Sequence, residues 1–148
     1  MTLYLDTSAL VKLYVDEPDS AAIRTFADQA DLLVTSLLTY VEACSAFARR
    51  RRERSVSGVL ERQALEQLDD RWSSYVKVDV TEPLIASAAQ LVSKHGLRGY
   101  DAVHLASALE LQRAFNDTVT FAAFDASLIR AAKREKLKLL RSIVALAG

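Results

Sequence analysis

Short β-branched or aromatic runs alternating with helical patterns constrain this chain more than any other feature. Tyr4-Leu5, Leu32 to Thr35, Val76 to Val80, Val119 to Ala123 and Leu137 to Leu140 read as strands, each a handful of residues bounded by polar or helix-forming sequence. Between them apolar residues return at helical spacing. The clearest helix carries Leu60, Ala64, Leu65, Leu68, Trp72 and Tyr75 on one face, with Glu61, Arg62, Glu66, Asp69 and Asp70 pointing away. Another opens at Thr81-Glu82-Pro83, a cap followed by proline in the first turn, and runs to a stop at Gly96 with Ile85, Ala88, Ala89 and Val92 inside. Strands alternating with helices predict a parallel sheet covered on both faces, in which ligands bind beyond the carboxyl ends of the strands.

Nothing in the composition divides the chain. Its 148 residues contain four Gly and two Pro with no Ser-rich or Pro-rich linker, so a single domain over residues 1–148 is expected. Nineteen basic and nineteen acidic residues cancel, so any contact with a polyanion must be local. Cys44 is the one cysteine, which rules out an intramolecular disulfide, leaves a Cys-based zinc site without ligands, and fits a reducing cytoplasm. Asp6 and Lys12 interrupt the apolar start, and the uncharged run Leu32 to Val41 is too short to span a bilayer. The expectation is a soluble cytoplasmic protein without a membrane segment.

Four carboxylates then fall where this architecture would gather them. Asp6 follows the first strand in Leu3-Tyr4-Leu5-Asp6-Thr7-Ser8, and Phe121-Ala122-Ala123-Phe124-Asp125-Ala126-Ser127-Leu128 repeats the sequence of strand, Asp and helix. Asp101 stands at the start of a helix rich in Ala and Leu. Glu42 lies in Thr39-Tyr40-Val41-Glu42, on the same side of its wheel as Arg49 and opposite a stripe of Tyr40, Val41, Cys44, Phe47 and Ala48. Each acid alone has an ordinary explanation. Asp6, Asp101 and Asp125 suit helix N-caps, and Thr39 with Glu42 has capping-box spacing. Taken together they ask for more, because Ser, Thr or Asn caps as well as Asp does. Clustered carboxylates repel unless a cation joins them, and oxygen ligands without Cys suit Mg²⁺ or Mn²⁺. Such an ion binds a phosphate oxygen and acidifies water, the chemistry of phosphodiester hydrolysis.

Leu5-Asp6-Thr7-Ser8-Ala9-Leu10-Val11-Lys12, Glu42, Arg98-Gly99-Tyr100-Asp101-Ala102-Val103-His104-Leu105-Ala106 and Phe124-Asp125-Ala126-Ser127-Leu128 together resemble the PIN domain. More narrowly, the chain resembles the VapC-type toxins of toxin–antitoxin pairs. The resemblance implies a three-layer α/β/α fold with a short, mostly parallel central sheet. It also implies a metal-dependent endoribonuclease in which Asp6, Glu42, Asp101 and Asp125 surround Mg²⁺ or Mn²⁺ and Thr7 or Ser8 lends a hydroxyl. The partners it implies are an RNA substrate, a cognate antitoxin protein and a second copy in a homodimer. There is one departure: relatives often place a hydroxyl residue one or two positions before the last Asp, and here Ala123 and Phe124 stand there.

Other residues have narrower readings. The run Arg49-Arg50-Arg51-Arg52-Glu53-Arg54 suits either a solvated helix end or a contact with RNA phosphates. His104, one turn from Asp101, reads as a packed or hydrogen-bonded structural histidine. Lys94 and Arg98 are expected to flank the cleft. A PIN nuclease of RNA processing and a catalytically silent PIN-like binding module remain as alternatives. A receiver-like phospho-acceptor would want paired acids after the first strand, and a haloacid-dehalogenase-type phosphatase an acid where Ser8 stands.

Overall fold

Leu3, Tyr4 and Leu5 point to alternate faces of the first strand, yet all three are fully buried, so both faces of the sheet are covered. That strand, β1 (Thr2–Leu5), is central to the computed structural model, which describes residues 1–140. The others are β2 (Leu32–Ser36), β3 (Val76–Val78), β4 (Val119–Ala122) and β5 (Lys138–Leu139). They pair in the order β3-β2-β1-β4-β5, every pair parallel. Among the described residues every strand pair is parallel, in keeping with the short, mostly parallel sheet expected, and all five expected strands are present within one or two residues at each end. The expected single domain extends over residues 141–148, which lie outside the described residues.

Seven helices cover this sheet among the described residues: α1 (Thr7–Val11), α2 (Ser20–Gln29), α3 (Thr39–Arg52), α4 (Gly58–Trp72), α5 (Glu82–His95), α6 (Gly99–Phe115) and α7 (Ala126–Arg134). None is long and apolar enough to cross a membrane. From β1 the chain builds outward through β2 and β3, then crosses to β4 on the other side, so the reversal of strand order lies between β1 and β4. The Asp6 N–H donates to the Ala122 carbonyl at 3.0 Å and ties these two strand ends together. A crevice at such a reversal is where parallel sheets bind ligands.

Two helices bury a stripe partly shifted from the expected one. In α3 the buried residues are Thr39, Ala43, Ala46 and Phe47, while Val41 is 61% exposed. In α5 they are Leu84, Ala88 and Leu91, leaving Ile85 46% exposed and Ala89 at the surface. In α4 the expected face holds, with Ala64 and Leu68 buried and Leu65 and Trp72 packed against the core, and Leu60 alone is turned out. The reason for the two shifts is helix-on-helix contact: α3 lies against α1, and α5 against α6. The side chains at a helix crossing set how closely two axes approach, and on α3 Ala43 and Ala46 take the inward face while Val41 is turned out.

Local signals set the helix ends more reliably. Thr81 caps α5 through its hydroxyl, and Gly96 closes it at φ +67°, its N–H donating to the Val92 carbonyl at 2.8 Å. No atom crowds a Cβ built on Gly96, so Gly96→Ala should cost only the left-handed backbone conformation. The expected loss is about 1 kcal/mol in urea unfolding, and an unchanged midpoint would contradict this cap.

Candidate active site

Beyond the carboxyl ends of β1 and β4 opens a cleft of about 370 Å³, lined by Asp6, Thr7, Ser8, Glu42, Asp101 and Asp125, with Arg49, Arg50, Arg98 and Tyr100 at its walls. The structure therefore brings all four candidate acids and both candidate hydroxyls to one place. Only two of the acids are caps. Asp6 accepts the Ala9 N–H and Asp125 the Leu128 N–H, each at 2.9 Å. Asp101 is not a cap: α6 begins at Gly99 after Arg98, which places Asp101 inside the first turn. Nor do Thr39 and Glu42 form a capping box. Leu38 precedes α3 with no side-chain cap, and the Thr39 hydroxyl pairs with that of Thr35 at 2.6 Å.

Asp6 is held most tightly. Its Oδ1 receives the Ser8 hydroxyl at 2.7 Å as well as the Ala9 N–H, and no donor among the described residues reaches Oδ2. The Ser8 oxygen in turn accepts the Phe124 N–H at 3.0 Å, so this hydroxyl joins the β1 end to the loop before α7. Burial pushes the Asp6 carboxyl up to about 6, against nearby His104 and the donors from Ala9 and Ser8, with Asp101 adding repulsion. Burial also raises Asp101, opposed by Arg98 and assisted by Asp125.

Glu42 has a different environment. Its Oε1 accepts the Thr7 hydroxyl at 2.6 Å and meets His104 Nε2 at 2.8 Å. A carboxylate only accepts, so Nε2 carries the proton, and a neutral ring then accepts at Nδ1, where the Tyr4 hydroxyl lies at 2.9 Å. Burial alone would raise the Glu42 carboxyl, but His104 and Thr7 outweigh it and hold it below its usual range. His104 is buried with both nitrogens engaged, as expected of a structural histidine.

The basic residues separate. Arg49 lines the cleft and, among the described residues, has no acidic partner. Arg50 pairs with Glu17, which also takes Lys12 at 3.2 Å, and Arg51 pairs with Glu61 at 3.0 Å. Lys94 does not flank the cleft; α5 carries it to Glu135 at 2.6 Å. Arg98 does, but it faces the acids: it reaches Asp101 Oδ2 at 3.0 Å and Asp125 Oδ2 at 3.5 Å.

Among the described residues no three His, Cys, Asp or Glu side chains converge closely enough to enclose an ion by themselves. The donor set nonetheless suits Mg²⁺ or Mn²⁺. It is all oxygen, with one Oδ2 of a buried Asp unpaired, and Mg²⁺ is commonly held by one or two carboxylates with water completing its shell.

A family profile described as the PIN domain matches residues 3–134. Ribonuclease VapC49 of Mycobacterium tuberculosis is 36% identical over 107 residues, 72% of this chain and 74% of that protein. Ribonuclease VapC47 of the same species is 32% identical over 123 residues, 80% of this chain and 83% of that protein. Among solved structures, FitAcB from Neisseria gonorrhoeae matches with a TM-score of 0.65 at 18% identity, covering 94% of this chain and 96% of its own. The Mycobacterium tuberculosis toxin VapC20, described as cleaving the sarcin–ricin loop, matches at 0.61 and 22% identity, covering 87% and 94%. At these identities the structural likeness is one of fold.

Proposed function

The chain belongs to the PIN-domain family, and from that premise we propose that it is the endoribonuclease toxin of a toxin–antitoxin pair, acting on RNA in the cytoplasm through Mg²⁺ or Mn²⁺ held by its cleft carboxylates. The observation that carries this reading is Asp6. A carboxylate that is 3% exposed, pushed up to about 6 by burial, and hydrogen-bonded on Oδ1 alone is an unfavourable cap that a cation makes favourable.

Asp6 and Asp101 are assigned as direct ligands, with Glu42 and Asp125 completing the acidic set. Lewis-acid polarisation of the phosphodiester and acidification of water are what such an ion supplies. The chain's own groups do the positioning. Ser8 fixes the Asp6 rotamer, while Thr7 and His104 fix Glu42. Arg49 is assigned to a phosphate flanking the scissile one. The proposed partners are an RNA substrate, on the strength of the ribonuclease VapC relatives, and a cognate antitoxin protein and a second copy of the chain, on the strength of the resemblance to VapC-type toxins.

Expression in a bacterial host tests the toxin assignment. Wild-type protein should arrest growth with new RNA ends in total RNA, and the antitoxin encoded beside it should restore growth. Unimpaired growth with intact RNA, in cells accumulating the folded protein, would sink it. A second expectation concerns Arg49. In an Asp6→Asn background, where RNA binds without being cut, Arg49→Ala should weaken binding alike for all sequences and reduce the slope of log affinity against log salt by about one. An unchanged slope would remove Arg49 from the interface.

A further inference from the structure

Arg98 stands in a place where a cation is out of character. It is the residue immediately before α6, and the free N–H groups of a helix's first turn favour negative charge. It makes no side-chain cap there. Its guanidinium instead crosses the cleft mouth: Nε donates to Asp101 Oδ2 at 3.1 Å, and the terminal nitrogen approaches Asp101 Oδ2 at 3.0 Å and Asp125 Oδ2 at 3.5 Å. Two of the four cleft acids therefore share one monovalent charge. The same guanidinium lies 5.1 Å from the centroid of the Tyr100 ring, which also lines the cleft.

Resting on the metal reading above, we propose that Arg98 competes with the divalent ion for Asp101 and Asp125, leaving them when the ion binds and then contacting the RNA phosphate from the cleft mouth. Two cations on one carboxylate repel, so an ion that drew on Asp101 would weaken the Arg98 contact. The exchange is easy, because the Arg98 side chain is 61% exposed and exposed ion pairs are weak. Tyr100 gives the released guanidinium a surface to rest on. Arginine suits the second role because its planar fork matches phosphate oxygens.

Calorimetric titration of Mn²⁺ into the full-length wild type, Arg98→Gln and Arg98→Lys tests the exchange without reference to activity. Arg98→Gln should bind Mn²⁺ about tenfold more tightly than wild type, as expected for removing a unit charge at contact distance in a largely solvated site. Arg98→Lys keeps the charge but cannot span both acids, so its affinity should fall between the two. At saturating Mn²⁺, Arg98→Gln should nonetheless cleave RNA more slowly than wild type. Equal or weaker Mn²⁺ binding by Arg98→Gln overturns the proposal, as does Arg98→Lys matching wild type or undiminished cleavage by Arg98→Gln. If wild type and both variants all fail to bind Mn²⁺, the metal reading itself fails and takes this proposal with it.

Discussion

In EDTA near neutral pH, Asp6→Asn should melt about 6 to 12 °C above the wild-type protein, and the difference should close as the pH falls to about 4. The wild-type carboxyl rises from an ordinary 3.8 to about 6 on folding, chiefly through burial. A raised acid is comfortable when protonated. Its share of stability is intact below 3.8 and is lost as pH rises through about 6. A shift of roughly two pH units corresponds to about 3 kcal/mol. Asn keeps the oxygen that accepts from Ala9 and Ser8 but carries no charge, so it escapes the loss. Mg²⁺ should reverse the ranking. At ten times its dissociation constant it should add about 1.4 kcal/mol to the wild type, and far less to the variant. A variant less stable than wild type in EDTA at neutral pH would make Asp6 a plain cap.

The second large effect concerns His104. His104→Leu should cost about 3 to 5 kcal/mol at neutral pH, because it leaves a partly buried carboxylate and a buried phenol without their partner. The groups stranded are Glu42 and the Tyr4 hydroxyl, at 2.8 and 2.9 Å from the ring. Glu42 is held below its ordinary range in the wild type, so it contributes stability above that range that is lost as pH falls through its folded value. Much of this acid-sensitive share should vanish from the variant. Urea unfolding against pH reads both effects, and a loss under about 1 kcal/mol would show that the network is incidental. The milder His104→Gln should keep most of its cleavage, since removing a true general base typically costs at least about a hundredfold.

How far these features were legible in the sequence depended on how local their causes are. Thr81, Gly96 and the strand-to-helix Asp residues act within a few positions, so helix ends and the carboxyl edge could be read directly. The parallel sheet followed from alternation alone. The inward faces of α3 and α5 could be read only in part: spacing places Phe47 and Ala88 inward, but packing against α1 and α6 turns Val41 and Ile85 out and brings Ala43, Leu84 and Leu91 in. Asp101 looked like a cap because it stands near a helix start, but α6 begins two residues earlier and frees its carboxylate for Arg98. The His104–Glu42 and Arg98–Asp125 contacts join residues 62 and 27 positions apart and have no local signature. Even so, placing Glu42 and Arg49 on one side of α3 brought both to the cleft.

On the function proposed above, the cleft carboxylates make this chain a divalent-ion-dependent ribonuclease. RNA cleavage by purified wild type and by Asp6→Asn, each with Mn²⁺ and with EDTA, tests it most directly, the melting curve of Asp6→Asn serving as proof that it is folded. Wild type should cut RNA with Mn²⁺ and stop in EDTA, and folded Asp6→Asn should cut in neither. Cleavage that persists in EDTA, or that folded Asp6→Asn carries out at the wild-type rate, would contradict the account.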